Sequence, residues 1–328
     1  MNCKSNSKDI MKLSIVIPTY NRVNDLDECL DSIISQTTLP KEIIMVDDSD
    51  DDEITDLVDY RRNEFKAKKV FLNYIRNEKE KSLTIARNIG VENAAGDIIL
   101  FLDSDVILDK DYIKEILKIY KEKPEAMGVQ GFIRNIKEGM KVRHVFNRLF
   151  YLGFNEKNGC RVLSSFYSTY PRSIDRVISC EWLSGANHSV RRAVLEEFKY
   201  DENLKKYSYS EDVDISYRIF KRYPDSLFMT PYARLIHKVS QEARLPKKEL
   251  VYMDEIYNLY LFHKNIDQNL KNRVIYLWSR IGKMTYSMIL LFLKPSRSKL
   301  TKIKYLIGAY IYCINHIGEI ENGNLEFF

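Results

Sequence analysis

The stretch that most constrains this chain is IILFLDSDVIL, from Ile98 to Leu108. Five apolar residues, Ile98 to Leu102, run into Asp103-Ser104-Asp105, and DKDYIKEILKIY follows with a helical pattern. The apolar run is too short and too β-branched for a helix and reads as a buried central strand. In open parallel sheets the functional groups gather beyond the carboxyl ends of the strands. Asp103 and Asp105 lie two apart and so share one face of an extended backbone. Together they can reach one hard cation of the Mg²⁺ or Mn²⁺ type. The same residues also suit the cap of a helix beginning near Asp109. On spacing alone both readings stand.

The preceding segments supply the context. LSIVIPTYNR, from Leu13, reads as a buried strand ending at Pro18. NDLDECLDSIISQ is a helix with Leu26, Leu30, Ile33 and Ile34 on one face and Asn24 as its cap. KEIIMVDDSDDDE is a second strand with DEITDLVDYRRNEF as its helix, and KVFLNYIRN is a third strand. LTIARNIGVENA is a short helix closed by Ala94-Ala95-Gly96. This alternation, held to about Tyr120, is a doubly wound α/β pattern with short connections. Gly is only 12 of 328 residues, and neither GxGxxG nor GxxxxGK[ST] occurs, so the usual nicotinamide and P-loop chemistries have little support. Polar or acidic clusters instead end three strands: Thr19-Tyr20-Asn21-Arg22, Asp47-Asp48-Ser49 and Asp103-Ser104-Asp105. Chance capping does not readily place carboxylates at adjacent strand ends, which favours a site.

After Pro124 the texture changes. AMGVQGFIRN reads as a strand, and Ile136 to Asp175 mixes aromatic with basic residues as a partly helical excursion over the site. CEWLSGANHSVRRAVLEEF gives a turn at Ser184-Gly185-Ala186-Asn187 and a helix from about Arg191. In YSYSEDVDISYRIFKRYP, Ser210 is the expected cap, with Glu211 and Asp212 in the first turn. SLFMTPYARLIHKVS reads as one or two late strands ending near His237. With 45% hydrophobic and 30% charged residues the composition is that of a globular protein, not a disordered one. The five cysteines, at 3, 29, 160, 180 and 313, form no CxxC and suit a reducing compartment. The polar start, MNCKSNSKDIMK, reads as a flexible lead over residues 1–12 without the apolar core of a signal peptide.

Taken in order, these residues resemble the family 2 glycosyltransferases of the GT-A fold. Pro18-Thr19-Tyr20-Asn21-Arg22 resembles that family's first motif. Val46-Asp47-Asp48-Ser49 resembles the second, in which an aspartate recognises the nucleotide base. Ala86-Arg87-Asn88-Ile89-Gly90 is similar to the helix packed beside the nucleotide, and Asp103-Ser104-Asp105 to the DXD metal motif. Gly185-Ala186-Asn187, Arg191-Arg192 and Glu211-Asp212 follow in the order of the acceptor half. Three departures are visible. Asp-Ser-Asp replaces Asp-Gly-Asp or Asp-Ala-Asp, Glu80 to Thr84 stands where relatives carry a Gly, and only Asp201-Glu202 and an aromatic remain of a Gly-x-Phe-Asp-Glu stretch.

The resemblance implies an α/β GT-A fold, a mostly parallel sheet flanked by helices with a C-terminal helical extension. It places a nucleotide-binding half at 13–125 and an acceptor half at 126–245. It also implies a hexosyltransferase that inverts the anomeric carbon, uses a nucleotide-diphosphate sugar with UDP favoured, and offsets the diphosphate charge with Mg²⁺ or Mn²⁺. Asp105 is then the direct metal ligand, Asp103 touches the ribose or a metal-bound water, and His237 approaches the metal or diphosphate. Pro18, Tyr20 and Arg22 border the nucleotide; Asp48, and less so Asp47, meets the base. Arg87 approaches a phosphate or orients Asp103. Asp212, with Glu211 next, is the base for the acceptor hydroxyl. At a helix N-terminus its pKa is expected to be lowered, so its power comes from position. Trp182, Gly185, Ala186 and Asn187 border the acceptor. A plain role stands beside each: an acidic helix start for Asp48, a solvent-facing Arg87, capping for Glu211 and Asp212, a surface His237 and a core Trp182.

Residues 246–328 are helical and aromatic, with ten Lys or Arg and one acidic residue, Asp267, from Lys264 to Lys304. The apolar runs fall short of the roughly 20 residues of a membrane span, and Arg280 and Lys283 interrupt the middle one. Such helices suit an anionic membrane surface, a homodimer, or packing on the catalytic domain. The expected location is cytoplasmic, peripheral on the inner face of the cell membrane, with a lipid-linked or cell-envelope glycan as acceptor. Two other functions fit less well. A sugar-nucleotide nucleotidyltransferase should carry a Gly-rich loop after its first strand, and PTYNR has none. A nucleic-acid-binding protein leaves the acidic strand ends unexplained, so no nucleic acid partner is expected.

Overall fold

The computed structural model describes residues 11–136, 141–156, 159–240 and 245–325, so most of the N-terminal lead lies outside the described residues. The first half alternates as expected: β1 (Leu13–Thr19), α1 (Val23–Ile34), β2 (Glu42–Asp47), α2 (Glu53–Ala67), β3 (Phe71–Arg76), α3 (Leu83–Asn93) and β4 (Ile98–Phe101). All residues of β1, β2 and β4 are buried, as strands covered on both faces must be. Helix α1 buries Leu26, Leu30 and Ile33 at helical spacing. Its N-cap position is Arg22, so Asn24 lies inside the first turn and is not the cap.

The segment after the DSD motif departs from expectation. Val106–Leu108 is a short strand, β5, and α4 begins only at Tyr112 and runs to Glu122. Asp103 to Asp105 therefore cap no helix. The N-cap position of α4 is Asp111, whose side chain accepts a hydrogen bond from Thr37 Oγ1 at 2.6 Å.

Beyond α4 come β6 (Gly128–Ile133), α5 (Lys141–Leu149), β7 (Asn155–Glu156), β8 (Tyr170–Pro171), β9 (Ile178–Cys180) and β10 (His188–Arg191). Then follow α6 (Arg192–Glu197), α7 (Glu211–Arg222) and β11 (Leu227–His237). The main sheet runs β3-β2-β1-β4-β10-β6-β11-β5, with β9 on β11. Pairing is parallel from β3 to β4 and between β6 and β11, whereas β10, β9 and β5 pair antiparallel. The sequence reading placed a turn at Ser184–Asn187 and a helix from about Arg191, close to the observed start of α6, and named no strand between them. Four residues of strand, β10, intervene and wedge between β4 and β6. That wedge brings the turn beside the end of β4, where the Asp103 N–H donates to Ala186 O.

The C-terminal helices are α8 (Lys247–Asn265), α9 (Leu270–Leu293), α10 (Arg297–Asn315) and α11 (Ile317–Glu321). Met253, Ile256, Leu259 and Phe262 of α8 join the same apolar cluster as Val213 and Ile219 of α7 and Leu227 of β11. The two cations that interrupt α9 point inward. Arg280 lies 2.7 Å from Glu255 of α8, and Lys283 pairs with Asp254 and Glu255. Lys264 likewise bridges Asp201 and Asp214. Arg280 and Lys283 are thus internal ties, and Lys264, though exposed, is engaged in ion pairs of its own. Among the described residues no helix is long and apolar enough to cross a membrane.

Burial pushes the Glu255 carboxyl up in pKa, and Lys283 and Arg280 outweigh that and hold it below its ordinary value. Removing one member of a buried ion cluster leaves the others charged and unpaired. Glu255→Ala is expected to cost about 3–5 kcal/mol of stability, read as a shift of the urea unfolding midpoint at pH 7.

Candidate active site

A cavity of about 730 Å³ opens beyond the carboxyl ends of β1, β2 and β4. Pro18, Tyr20 and Arg22 line it from the end of β1, Asp48 from beyond β2, and Arg87 from α3. Asp103 enters from the end of β4, Trp182, Gly185 and Ala186 from the turn before β10, Glu211 and Asp212 from α7, and His237 from β11. Three of the expected residues, Asp105, Asp47 and Asn187, do not line it. Asp47 is fully buried and accepts from the Ser49 N–H at 2.9 Å and from Tyr74 OH at 2.9 Å. Asn187 is fully buried and donates to Gly131 O at 3.1 Å.

Antiparallel pairing of β11 with β5 sets His237 opposite Val106, next to the DSD motif. His237 Nε2 lies 3.2 Å from Asp105 Oδ1 and 3.8 Å from Asp103 Oδ2. One ligand atom from each of the three residues falls within 4.8 Å of the others. Asp105 Oδ2 accepts from the Ser240 N–H at 2.8 Å and lies 3.6 Å from Arg22. Asp105 Oδ1 is buried and accepts no hydrogen bond of good geometry. Burial pushes the Asp105 carboxyl up, but His237, the Ser240 N–H and Arg22 outweigh it and hold the pKa at about 2. Burial in turn lowers His237, and the carboxylates of Asp105 and Asp103 raise it above its ordinary value. Two carboxylates and an imidazole, with one buried oxygen lacking a donor, form a donor set that fits Mg²⁺ or Mn²⁺. His237 is therefore no stray surface histidine.

Arg87 is the hub of the cavity floor. It is 1% exposed, donates to Glu211 Oε1 and to Gly185 O at 3.1 Å, and reaches Asp103 Oδ1 at 3.4 Å. Its burial excludes the solvent-facing reading. Burial pushes Glu211 up to about 8, Asp212 adds to that, and Arg87 opposes it. Asp212 is raised too: burial dominates over the N–H groups of Gly185 and Val213 and the charge of Arg87. Those N–H groups reach its carboxylate at 2.6 and 2.8 Å. The lowered pKa expected at a helix N-terminus is thus reversed, because desolvation outweighs the helix dipole here. Ser210 occupies the N-cap position with φ at 66° and makes no side-chain cap bond, so it is not the expected cap.

At the other end of the cavity, burial raises Asp48 to about 6, against the Asn77 amide that donates to it at 2.6 Å. Trp182 is buried, donates Nε1–H to Thr169 O at 2.9 Å, and still lines the cavity. Sequence reasoning missed Tyr207 and Tyr209, which also line it. They ride on a strap in which Lys206, Ser208 and Ser210 all have positive φ. The YSYS repeat just before Glu211 was the available signal.

The chain matches the family model described as glycosyl transferase family 2 over residues 14–179, and that for glycosyl transferase family group 2 over 98–314. It belongs to glycosyl transferase family 2. The chain is 33% identical over 141 residues to glycosyltransferase GlyA of Streptococcus pneumoniae, a match covering 43% of this chain and 20% of that protein. The chain therefore spans about a fifth of that relative's length. A glucosyl-dolichyl phosphate glucuronosyltransferase of Haloferax volcanii is 24% identical over 238 residues, 70% of each protein. Among solved structures, a mannosyltransferase of Pyrobaculum calidifontis in complex with GDP-Man and Mn²⁺ superposes with a TM-score of 0.58. That likeness covers 93% of this chain and 87% of the other at 18% identity, and it establishes the GT-A fold.

Arg87 holds the Glu211 pKa down against burial, so Arg87→Met is expected to raise it above the value of about 8 it has in the wild-type fold. Below about pH 8 Glu211 is protonated in both folded proteins, and they lose stability in parallel as pH rises from the unfolded value. Above it the wild type keeps its ion pair, and the variant's extra loss should grow with a slope approaching about 1.4 kcal/mol per pH unit. Urea unfolding of both proteins at about pH 7 and about pH 9.5 checks this. An equal difference at the two values would contradict the assigned pair.

Proposed function

We propose that this glycosyltransferase is a divalent-metal-dependent, inverting enzyme. It moves a sugar from a nucleotide-diphosphate sugar, UDP favoured, to a lipid-linked or cell-envelope glycan at the cytoplasmic face of a membrane. The observation that carries the reading is that Asp103, Asp105 and His237 bring one ligand atom each within 4.8 Å of one another, with Asp103 and His237 lining the cavity that also holds Asp212. The mannosyltransferase that shares the fold was solved with a nucleotide sugar and Mn²⁺, and the Haloferax relative is named for a dolichyl-phosphate-linked sugar. Buried free thiols at Cys29, Cys160, Cys180 and Cys313 suit a reducing compartment.

Residues 13–125 would hold the donor and 126–245 the acceptor. Asp105, Asp103 and His237 would hold the cation, which when bound offsets the charge growing on the leaving diphosphate. Asp48 meets the base, with Tyr20 and Arg22 along the nucleotide. Arg87, fixed by Glu211, keeps Asp103 turned into the cavity. Asp212 takes the proton of the acceptor hydroxyl. Its raised pKa gives it more affinity for that proton than an ordinary carboxylate has. Glu211, committed to Arg87, is the second candidate for that role. With a base in place and no separate nucleophile assigned, direct displacement inverts the anomeric carbon.

Asp105→Ala is expected to weaken Mn²⁺-dependent nucleotide-sugar binding by about 10–100-fold. Calorimetric affinity that is the same with and without metal in both proteins would end this reading. Asp212→Asn should keep donor affinity while turnover falls about 10²–10⁴-fold. Product NMR should show the anomeric configuration opposite to that of the donor, and retention of the donor's configuration would refute the displacement.

A further inference from the structure

Helix α9 is built inside out. Its inward residues include Ser279, Arg280 and Lys283, while apolar side chains face away from the protein. Val274, Leu277, Ile281, Met288 and Phe292 recur at helical spacing and are 53–87% exposed. On α10, Leu300, Ile307, Ile311 and Ile314 form a second exposed stripe. Helix α5 joins them: Phe150, which follows it, stacks on Trp278 at 4.7 Å, and Val145 and Leu149 stand exposed beside it. An apolar surface of this extent marks an interaction site.

Charge identifies the partner. No Asp or Glu occurs from Gln268 to Gly318. Lys271, Lys294, Arg297, Lys302 and Lys304 are exposed there and form no ion pair among the described residues. A symmetric second copy would bring these cations against their own equivalents, which disfavours a homodimer through this face. An anionic bilayer complements both features, apolar side chains entering the interface and cations meeting the phosphates. We propose that the α5–α9–α10 face seats the protein on an anionic lipid surface. The proposal deepens the lipid-linked acceptor reading and rests on it for its purpose. Tyr167 packs over Arg280 of α9 at 4.8 Å, and its neighbour Ser168 lines the cavity. The inner side of α9 is thus joined to the cavity wall through two consecutive residues, Tyr167 and Ser168.

The test sediments the full chain with vesicles of phosphatidylglycerol mixed into phosphatidylcholine, and with phosphatidylcholine alone. Binding should be at least tenfold stronger to the anionic vesicles. Ile281→Glu with Phe292→Glu should reduce that binding tenfold or more with an unchanged thermal midpoint. Lys302→Glu with Lys304→Glu, at two exposed charges, should weaken the anionic preference independently of the first variant's folding. Brominated lipid should quench Trp278 emission, and Trp278→Phe should lose that component. Negligible sedimentation of wild-type protein with either vesicle overturns the proposal. So does wild-type binding by both variants, or a dimer in sedimentation velocity that the Ile281→Glu, Phe292→Glu protein loses while lipid binding is absent. Binding of UDP with Mn²⁺, measured by calorimetry on the same samples, separates the two failures: retained donor binding without vesicle binding rejects the surface and leaves the transferase chemistry standing.

Discussion

A guanidinium taken out of water costs several kcal/mol unless acceptors surround it, and Arg87 is surrounded by three. Asp103 lies 16 residues away in sequence, Gly185 lies 98 and Glu211 lies 124. These three acceptors gather on Arg87 only when α3, the end of β4, the turn before β10 and the start of α7 have all arrived. The ion pair thus ties completion of the site to completion of the fold. It also fixes the direction of Asp103, so a cation would meet carboxylates already in position. Preorganisation of that kind is what electrostatic catalysis needs, because charges aligned beforehand cost nothing to reorganise during the reaction.

A second buried ion cluster does the same work in the C-terminal helices. Glu255 of α8 receives Arg280 and Lys283 from one face of α9, and Tyr167 and Tyr276 pack their rings on Arg280. Because the two cations in its middle are used up inside, α9 presents mostly apolar residues, Leu277, Ile281, Met288 and Phe292, over the rest of its outer face. The helix owes its sidedness to ion pairing more than to hydrophobic burial, the reverse of an ordinary surface helix.

This reversal explains part of what the sequence concealed. The carboxylate-tipped strands were legible because strand, turn and acidic cluster are local features, and they located Asp48, Asp103 and Asp105 at sheet ends. His237 was legible as a strand end, although its partner strand β5 was not: three residues carry no usable periodicity. Strand β10 hid for the same reason, with four residues between a turn and a helix. The inward turn of Arg280 and Lys283 depends on Asp254 and Glu255, one helix earlier, and no local pattern encodes such a pairing. The burial of Asp47 and Asn187 follows similarly from Tyr74 and Gly131, contacts made only once the sheet is assembled. Helix-end reasoning failed at α7, where it foresaw lowered carboxyl pKa values and the burial of Glu211 and Asp212 raised them.

Those two adjacent carboxylates show how one buried place supplies two roles. Both are pushed up by desolvation; the charge of Asp212 adds to the rise at Glu211, and that of Asp103 to the rise at Asp212. Arg87 resolves the competition geometrically: Nη1 is spent on Glu211, whereas Asp212 is met by the N–H groups of Gly185 and Val213. Neutral donors hold a carboxylate in place while withdrawing less of its basicity than a full counter-charge does. Glu211 is thereby the anchor of a cation, while Asp212 is held by neutral donors, which in the proposed reaction leaves it to serve as the general base. The same pocket floor would lose this division of labour if the two side chains exchanged partners. In the proposed reaction the position of the Arg87 guanidinium, more than the identity of either acid, sets which of them acts on an acceptor hydroxyl.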